Sequence, residues 1–413
     1  MNKNICCLDL GSSKISGCIL CFKNKNIKDI FFETYPTRAL NRAKIKDVSK
    51  LTDALSELFS SLKKKSHLKI SDVYLNISCS DLNIRNNFIV MPLLERGCRL
   101  INHSDIQKVK EQALALNSNW EEEIIQSIPI SYTVDGKDGF LNPLGLYAHT
   151  LGINLLTISI KSSYFGNLNY IFDKLGYNLK DIHISGLGLL KYILEREALE
   201  KGLYVLLDIG AQVTDIVAYE DKRIKHIGSL DFGGDDLTEK ISDTFKISFE
   251  CAEDLKIKYG SVSEDTSDKR EIMIKEQNSY QNIPYQKLCK VINDKIEDFL
   301  VLLKEYFEKN ITDKKIEKIF VCGKSALLDG LLEEMELDLS TKVRMVSYTD
   351  FSFLEGIFLN KLFSPSQLLD YTNCLKIVYE IENLKKEPFQ SNLPKGPFRR
   401  VLYWLKYLYQ EYF

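Results

Sequence analysis

The feature that most constrains this chain is a strand–turn–strand unit written twice, once at the start of its 413 residues and once near the middle. The first copy is Ile5-Cys6-Cys7-Leu8-Asp9-Leu10-Gly11-Ser12-Ser13-Lys14-Ile15 running on to Phe22, an apolar strand entering a tight polar turn and leaving as a second apolar strand. Gly11 is expected to supply a backbone conformation that other residues resist. The turn then presents amides, the Ser12 and Ser13 hydroxyls and the Lys14 ammonium to any anion above it. Asp9, at the strand end, is placed to hold a hydrated Mg2+. One isolated copy of this pattern is equally an ordinary hairpin. The second copy spans Leu203 to Tyr219, with Asp208-Ile209-Gly210 at its turn and Thr214 opening its second strand. Internal similarity at this spacing points to a duplicated domain rather than a solenoid. Two such lobes would hold a nucleotide's phosphates from both sides of one cleft.

The stretches between the copies suit a mixed sheet covered by helices. A helical pattern from Asp47 to Lys63 places Val48, Leu51, Leu55, Leu58 and Leu62 on one face. From Leu82 to Ile160 the texture changes to strands, a turn-rich passage over 135–146, and a helix expected to open with a Ser104–Gln107 capping box. This reads as an inserted α+β subdomain. Beyond the second hairpin, Gly233 and Gly234 precede a helix and let backbone approach a ligand at its N-terminus. Glu253 and Lys256 share a face of the helix Phe249 to Tyr259, as ligand contacts or as a surface ion pair. Val262 to Ile283 reads as a polar loop, Pro284 to Phe307 as a long helix. Gly323-Lys324-Ser325 forms a turn after the strand Ile319 to Cys322, followed by helices over Ala326 to Glu334 and Asp350 to Phe363. That turn is a third candidate nucleotide contact.

Ser364 to Lys395 reads as a tether, with four of the nine prolines in it or nearby. After it, Phe398, Val401, Leu402, Leu405, Leu408, Tyr409 and Tyr412 recur at helical spacing. Arg399, Arg400 and Lys406 flank that face and Trp404 adds to its aromatic density. This is the pattern of a helix lying in a membrane interface beside anionic lipid; a terminal helix docked on the core is the plainer alternative. A formal net charge of −2 gives no global argument for nucleic-acid binding. The ten cysteines, most of them inside apolar segments such as those of Cys79, Cys251, Cys289 and Cys322, have no export signal before them, which suits a reducing cytoplasm; Cys18 and Cys21 form a C-x-x-C with no second pair, and the five histidines are scattered, which disfavours zinc. No apolar run is long enough to span a bilayer.

Several of these strings together resemble the FtsA family, actin-like proteins of bacterial cell division. They are Asp9-Leu10-Gly11-Ser12-Ser13-Lys14, Ile128-Pro129-Ile130-Ser131-Tyr132, Asn142-Pro143-Leu144-Gly145-Leu146, Leu255-Lys256-Ile257-Lys258-Tyr259-Gly260 and the terminal amphipathic segment. The resemblance implies an α/β, two-lobed actin-like ATPase fold. Its first lobe covers 1–81 and 161–202, with the inserted subdomain at 82–160. The second covers 203–229 and 310–363 with a small subdomain at 230–309, then a linker at 364–395 and a membrane-targeting helix at 396–413. It implies ATP with Mg2+, held by Asp9, Gly11, Ser12, Ser13 and Lys14 on one lobe and by Asp208, Gly210 and Thr214 on the other. Asp9 and Asp208 would bind the metal through water. Gly233, Gly234, Glu253, Lys256, Gly323 and Ser325 would surround sugar and base. It further implies head-to-tail filaments, attachment to the cytoplasmic face of the membrane at the division site, and docking of the FtsZ C-terminal tail on the small subdomain. There Asn293 and Lys295 stand where the family tends to carry arginines. The family's glycine run after the second hairpin is replaced by Ala211-Gln212-Val213, and glycines at the third turn by Lys324 and Ser325. These departures suit weak or absent hydrolysis. A pilus-assembly actin-like protein remains an alternative. A small-molecule kinase is a further one, although no stretch nominates its catalytic aspartate.

Overall fold

The computed structural model describes residues 3–23, 26–94, 97–116, 119–199, 201–262, 269–276, 279–311, 314–352, 354 and 364–386, and the statements below concern those residues. In chain order, β1 (Lys3–Leu10), β2 (Lys14–Lys23) and β3 (Asn26–Pro36) form an antiparallel meander, followed by α1 (Val48–Ser66) and β4 (Asp72–Ile77). The insertion contributes β5 (Asn83–Pro92), α2 (His103–Ala115), β6 (Glu122–Val134), β7 (Lys137–Phe140) and β8 (Thr150–Lys161). The first lobe is completed by α3 (Ser162–Lys174), β9 (Asn178–Ile184) and α4 (Leu187–Arg196). The second contains β10 (Leu203–Ile209), β11 (Thr214–Glu220), β12 (Arg223–Leu230), α5 (Gly234–Phe245) and α6 (Phe249–Tyr259). It continues with β13 (Glu271–Glu276), β14 (Ser279–Pro284), α7 (Tyr285–Asn310), β15 (Ile316–Cys322), α8 (Leu331–Leu339) and β16 (Lys342–Met345). Finally, α9 (Thr372–Lys386) returns to the first lobe.

The two lobes have the same central sheet. The first is ordered β9-β4-β1-β2-β3 and the second β16-β15-β10-β11-β12. In each, the hairpin pair is antiparallel and the next two strands are parallel to its first strand. The period of two along β10 places its side chains in separate cores. Val205, Leu207 and Ile209 join α5 and α7 in one cluster, while Tyr204 and Leu206 face the other cluster, built around α4 and α9. These two helices lie where the lobes meet, so a single apolar body ties both sheets together. The helix α1 follows its sequence pattern: Leu51, Leu55, Leu58 and Leu62 are fully buried, Asp47 caps it by accepting from the Lys50 amide at 3.0 Å, and His67 closes it at φ 55°. The inserted sheet, ordered β7-β6-β8-β5, packs α2 on one face.

Several sequence expectations are corrected. The helix α2 is capped by Asn102 with Asp105 reaching back, not by Ser104 and Gln107, because Asp105 is also held by the Arg99 fork. Within Val262 to Ile283, read as loop, β13 and β14 pair as a hairpin with Ile272 and Ile283 buried against the second lobe's core. The helix expected over Ala326 to Glu334 is broken: a single turn spans Lys324–Leu327, and α8 begins only after Gly330, whose φ is 77°. Of Asp350 to Phe363, the described part is a short turn, Tyr348–Phe351, and the rest lies outside the described residues save Ser352 and Leu354.

The largest correction concerns the supposed tether. Residues 364–386 are folded: a short turn at Pro365–Leu368 leads into α9, and Leu368, Cys374, Leu375, Ile377, Val378 and Ile381 are buried in the first core. The sequence pattern concealed this because α9 is buried on most sides, so polar residues such as Asn373 and Lys376 occupy interior positions that normally read as a solvent face. Residues 387–395 and the amphipathic segment 396–413 lie outside the described residues.

Candidate functional site between the lobes

The two hairpin turns face one another across the cleft and are built alike. In each, the glycine amide donates to the carbonyl three residues on, Gly11 to Lys14 at 3.1 Å and Gly210 to Val213 at 3.0 Å. The need for glycine is steric rather than conformational: neither has positive φ, but a Cβ would stand 2.7 Å from the Lys14 carbonyl oxygen or 2.9 Å from that of Val213. Register places Asp9 opposite Ser16 and Asp208 opposite Asp215, so the strand ends converge as an acidic group.

That group is satisfied from within the protein. Asn76 donates to Asp9 at 2.7 Å and to Ser185 at 2.9 Å. Asp215, of the second lobe, accepts from the Ser78 hydroxyl at 2.6 Å and the Cys79 amide at 2.9 Å, both in the first. From α9, the Asn373 amide donates to Asp208 at 2.8 Å and reaches Asp9 at 3.5 Å. One turn further on, the fully buried Lys376 donates to the Ile184 carbonyl. Its charge helps hold down the pKa of Asp9 and of Glu380, which itself pairs with buried His183. Burial and the neighbouring Asp208 still push Asp9 up to about 6 and Asp215 up to about 7. His183 is raised as well, since Glu380 outweighs the burial that opposes its charging.

Each residue predicted for the nucleotide site can now be placed. Asp9, Gly11, Ser12, Ser13 and Lys14 do gather at the first turn, with Asp208 and Gly210 opposite. Thr214 does not face the cleft: it is buried and donates to the Phe232 carbonyl at 2.8 Å. The expectation that Gly233 and Gly234 admit a ligand is corrected too. The amides opening α5 are already used, Gly234 donating to Gly210 O at 3.0 Å, Asp235 to Ala211 O at 2.6 Å, and Gly233 to the Asp236 carboxylate at 2.8 Å. A Cβ on Gly233 would meet Ala211 at 2.5 Å. Glu253 and Lys256 form an ion pair at 2.7 Å and share Thr238. Gly323, at φ 85°, packs on the Ile209 carbonyl, and Ser325 donates to Gly210 O at 2.9 Å.

The residues as arranged do not fit a magnesium–nucleotide complex. The Lys14 ammonium, the natural phosphate partner, is paired with the Asp370 carboxylate, which Lys324 also holds at 2.9 Å. Asn373 stands between the two aspartates that would bear the metal. Sequence reasoning missed Asp370, Asn373 and Lys376 by assigning them to a linker. It also missed Arg38 and Arg42, which cross the cleft from the first lobe: Arg38 pairs with Asp235, and Arg42 with Asp236 at 3.3 Å. The signal available was the departure at Gln212, whose side chain accepts from the Arg42 amide at 2.8 Å and donates to Asp235 at 3.0 Å.

Of the residues assigned to partners, Asn293 is buried in the inner face of α7, so it cannot receive a partner's tail. Lys295 lies 3.5 Å from Asp298 on the same helix. The membrane residues Phe398, Arg399, Arg400, Val401, Leu402, Trp404, Leu405, Lys406, Leu408, Tyr409 and Tyr412 lie outside the described residues. Among the described residues no helix is long and apolar enough to cross a membrane.

Comparison with known proteins gives a consistent picture. The sequence model described as "Cell division protein FtsA" matches residues 205–365, and that described as "SHS2 domain inserted in FTSA" matches residues 80–159. The Cell division protein FtsA of Buchnera aphidicola subsp. Acyrthosiphon pisum (strain APS) is 24% identical over 418 residues, covering 97% of this chain and 96% of its own. Among solved structures, a chain of the PilM-PilN type IV pilus biogenesis complex matches with a TM-score of 0.64 at 16% identity, covering 91% of this chain and 98% of that one. MreB5 of Spiroplasma citri bound to ADP matches with a TM-score of 0.51 at 14% identity, covering 93% and 98%. At such identities the structural matches establish the actin-like ATPase fold alone.

Proposed function

The chain belongs to the FtsA family of bacterial cell-division proteins, and from that premise we propose that it is an actin-like adaptor attaching FtsZ to the membrane. The C-terminal segment 396–413 lies in the cytoplasmic leaflet at the division site, and the second lobe's small subdomain receives the acidic FtsZ tail. Copies of the chain join head to tail into a membrane-bound filament. The single observation that carries the reading is the combination of a family match on the second lobe and another on the insertion with an amphipathic, cationic, aromatic-rich segment beyond α9. One apolar face of that kind gives modest membrane affinity, and filament formation would raise it by presenting many copies together.

Docking of FtsZ rests on groups other than Asn293, because that side chain is turned inward. ATP with Mg2+ is the ligand that the resemblance assigns to the cleft. Since the residues in this arrangement do not fit it, the adaptor role is proposed without a nucleotide step. Vesicle flotation tests the reading: the full chain is expected to float with vesicles containing anionic lipid, and a chain ending at Lys395 to stay at the bottom. Equal flotation of both would overturn the assignment of the membrane segment.

A further inference from the structure

We propose that this cleft is latched shut by the chain's own side chains, with the Asp370 carboxylate seated where a nucleotide phosphate group would lie, so that the lobes close without nucleotide. The inference rests on reading the space between the hairpins as the family's nucleotide cleft.

Three separate contacts carry it. At the phosphate turns, Asp370 is clasped by Lys14 from the first lobe and Lys324 from the second, and its side chain is only 11% exposed. An anion set between two lysines from opposite lobes stands in the place a phosphate takes in such a cleft, and burial with the neighbouring Lys324 lowers the Lys14 pKa to about 7. Behind it, Asn373 donates to Asp208 and Asp9, joining the two strand ends with an amide where a hydrated cation would otherwise be needed to relieve two facing carboxylates.

The third contact is at the cleft mouth. Arg42 donates through its guanidinium to the Gln212 carbonyl at 3.2 Å and to Asp236 at 3.3 Å, and through its backbone amide to the Gln212 side chain at 2.8 Å. Arg38 pairs with Asp235, which Gln212 also holds at 3.0 Å. Gln212 stands where the resemblance implies a glycine. Its side chain fills the room a glycine would leave open and joins the lobes there. Arg42 and Ala43 both have positive φ, 44° and 64°, in the tight turn between Leu40–Asn41 and Lys44–Ile45. A two-residue hairpin turn takes positive φ at both central positions, and this one holds Arg42 at the cleft mouth. Singly, half-exposed ion pairs contribute little. As a set spanning the mouth, the phosphate seat and the back of the cleft, they restrain the same opening motion.

Hydrogen–deuterium exchange on the full chain tests the latch without lipid or FtsZ, so a failure of the adaptor reading leaves its outcome untouched. Without nucleotide, the segments 208–215 and 370–379 are expected to exchange slowly and to gain no protection from magnesium–ATP. In Arg38→Ala/Arg42→Ala, segment 208–215 is expected to exchange about tenfold faster. Fast exchange in the natural chain that slows on adding magnesium–ATP would overturn the proposal, as would a double variant exchanging at the natural rate. A second variant tests the seat by titration with the same ligand. Asp370→Ala is expected to bind magnesium–ATP about tenfold more tightly than the natural chain, and measurable binding no tighter than the natural chain's would overturn the seating of Asp370. Faster exchange in the double variant with no nucleotide binding by either protein would refute the nucleotide reading of the cleft while leaving its latch in place.

Discussion

Replacing Lys376 by methionine isolates the electrostatic role of α9. Lys376 is fully buried, and its ammonium donates to the Ile184 carbonyl while lowering the pKa of Asp9 and Glu380. Methionine nearly matches its stem in volume, so the loss is of charge and one hydrogen bond rather than of packing. Removing one member of a buried charged set costs about 3–5 kcal/mol, because the remaining carboxylates stay buried without compensation. The loss must depend on pH. With a native pKa of about 6, Asp9 is ionised at neutral pH and mostly protonated a unit below that value. A carboxylate raised above its unfolded value contributes stability that is complete below the unfolded pKa and disappears as pH rises through the folded one. Loss of Lys376 raises Asp9 further and widens that window. Urea unfolding followed by circular dichroism should therefore show the full loss near pH 8 and a smaller one near pH 5, where Asp9 is mostly protonated while Glu380, held below the usual carboxylate range, and the Ile184 carbonyl still lack their partner. An equal loss at both pH values, or a loss below about 1 kcal/mol at pH 8, would refute the reasoning.

Two further substitutions probe the lobes. Asp215→Asn keeps the acceptor for Ser78 and Cys79 but removes a carboxylate raised to about 7. Its stability relative to the natural chain should rise between about pH 4 and pH 7 by ~2–4 kcal/mol and level off above, as read from urea midpoints, whereas a flat difference would exclude the raised pKa. Gly323→Ala places a Cβ 2.3 Å from the Ile209 carbonyl oxygen at φ 85°, and should cost ~3 kcal/mol or more. Gly145→Ala, at φ 81° but with open space around it, should cost only ~1 kcal/mol in the same thermal or urea unfolding assay.

What the sequence could disclose followed from local periodicity. The duplicated hairpin and α1 with its apolar stripe were legible because each buries one clear face against its own sheet. The residues of the first turn were legible for the same reason, since a tight turn between two apolar strands has few ways to fold. The assignment failed where burial is two-sided or partners are distant in sequence. Helix α9 is sandwiched between the lobes, so its Asn373 and Lys376 look like solvent-facing residues until Asp9, Asp208 and Ile184 are brought to them. Thr214 belongs to the right strand, but alternation turns its hydroxyl toward Phe232. Arg38 and Arg42 gain meaning only with Asp235 and Asp236, nearly half the chain away, and no local pattern links them.

The central claim is that this chain holds FtsZ at a membrane, and flotation of FtsZ itself tests it most directly. With vesicles containing anionic lipid, FtsZ should rise to the top fraction only when the full chain is present, and should stay at the bottom with a chain ending at Lys395. FtsZ remaining at the bottom while the full chain floats would contradict the account.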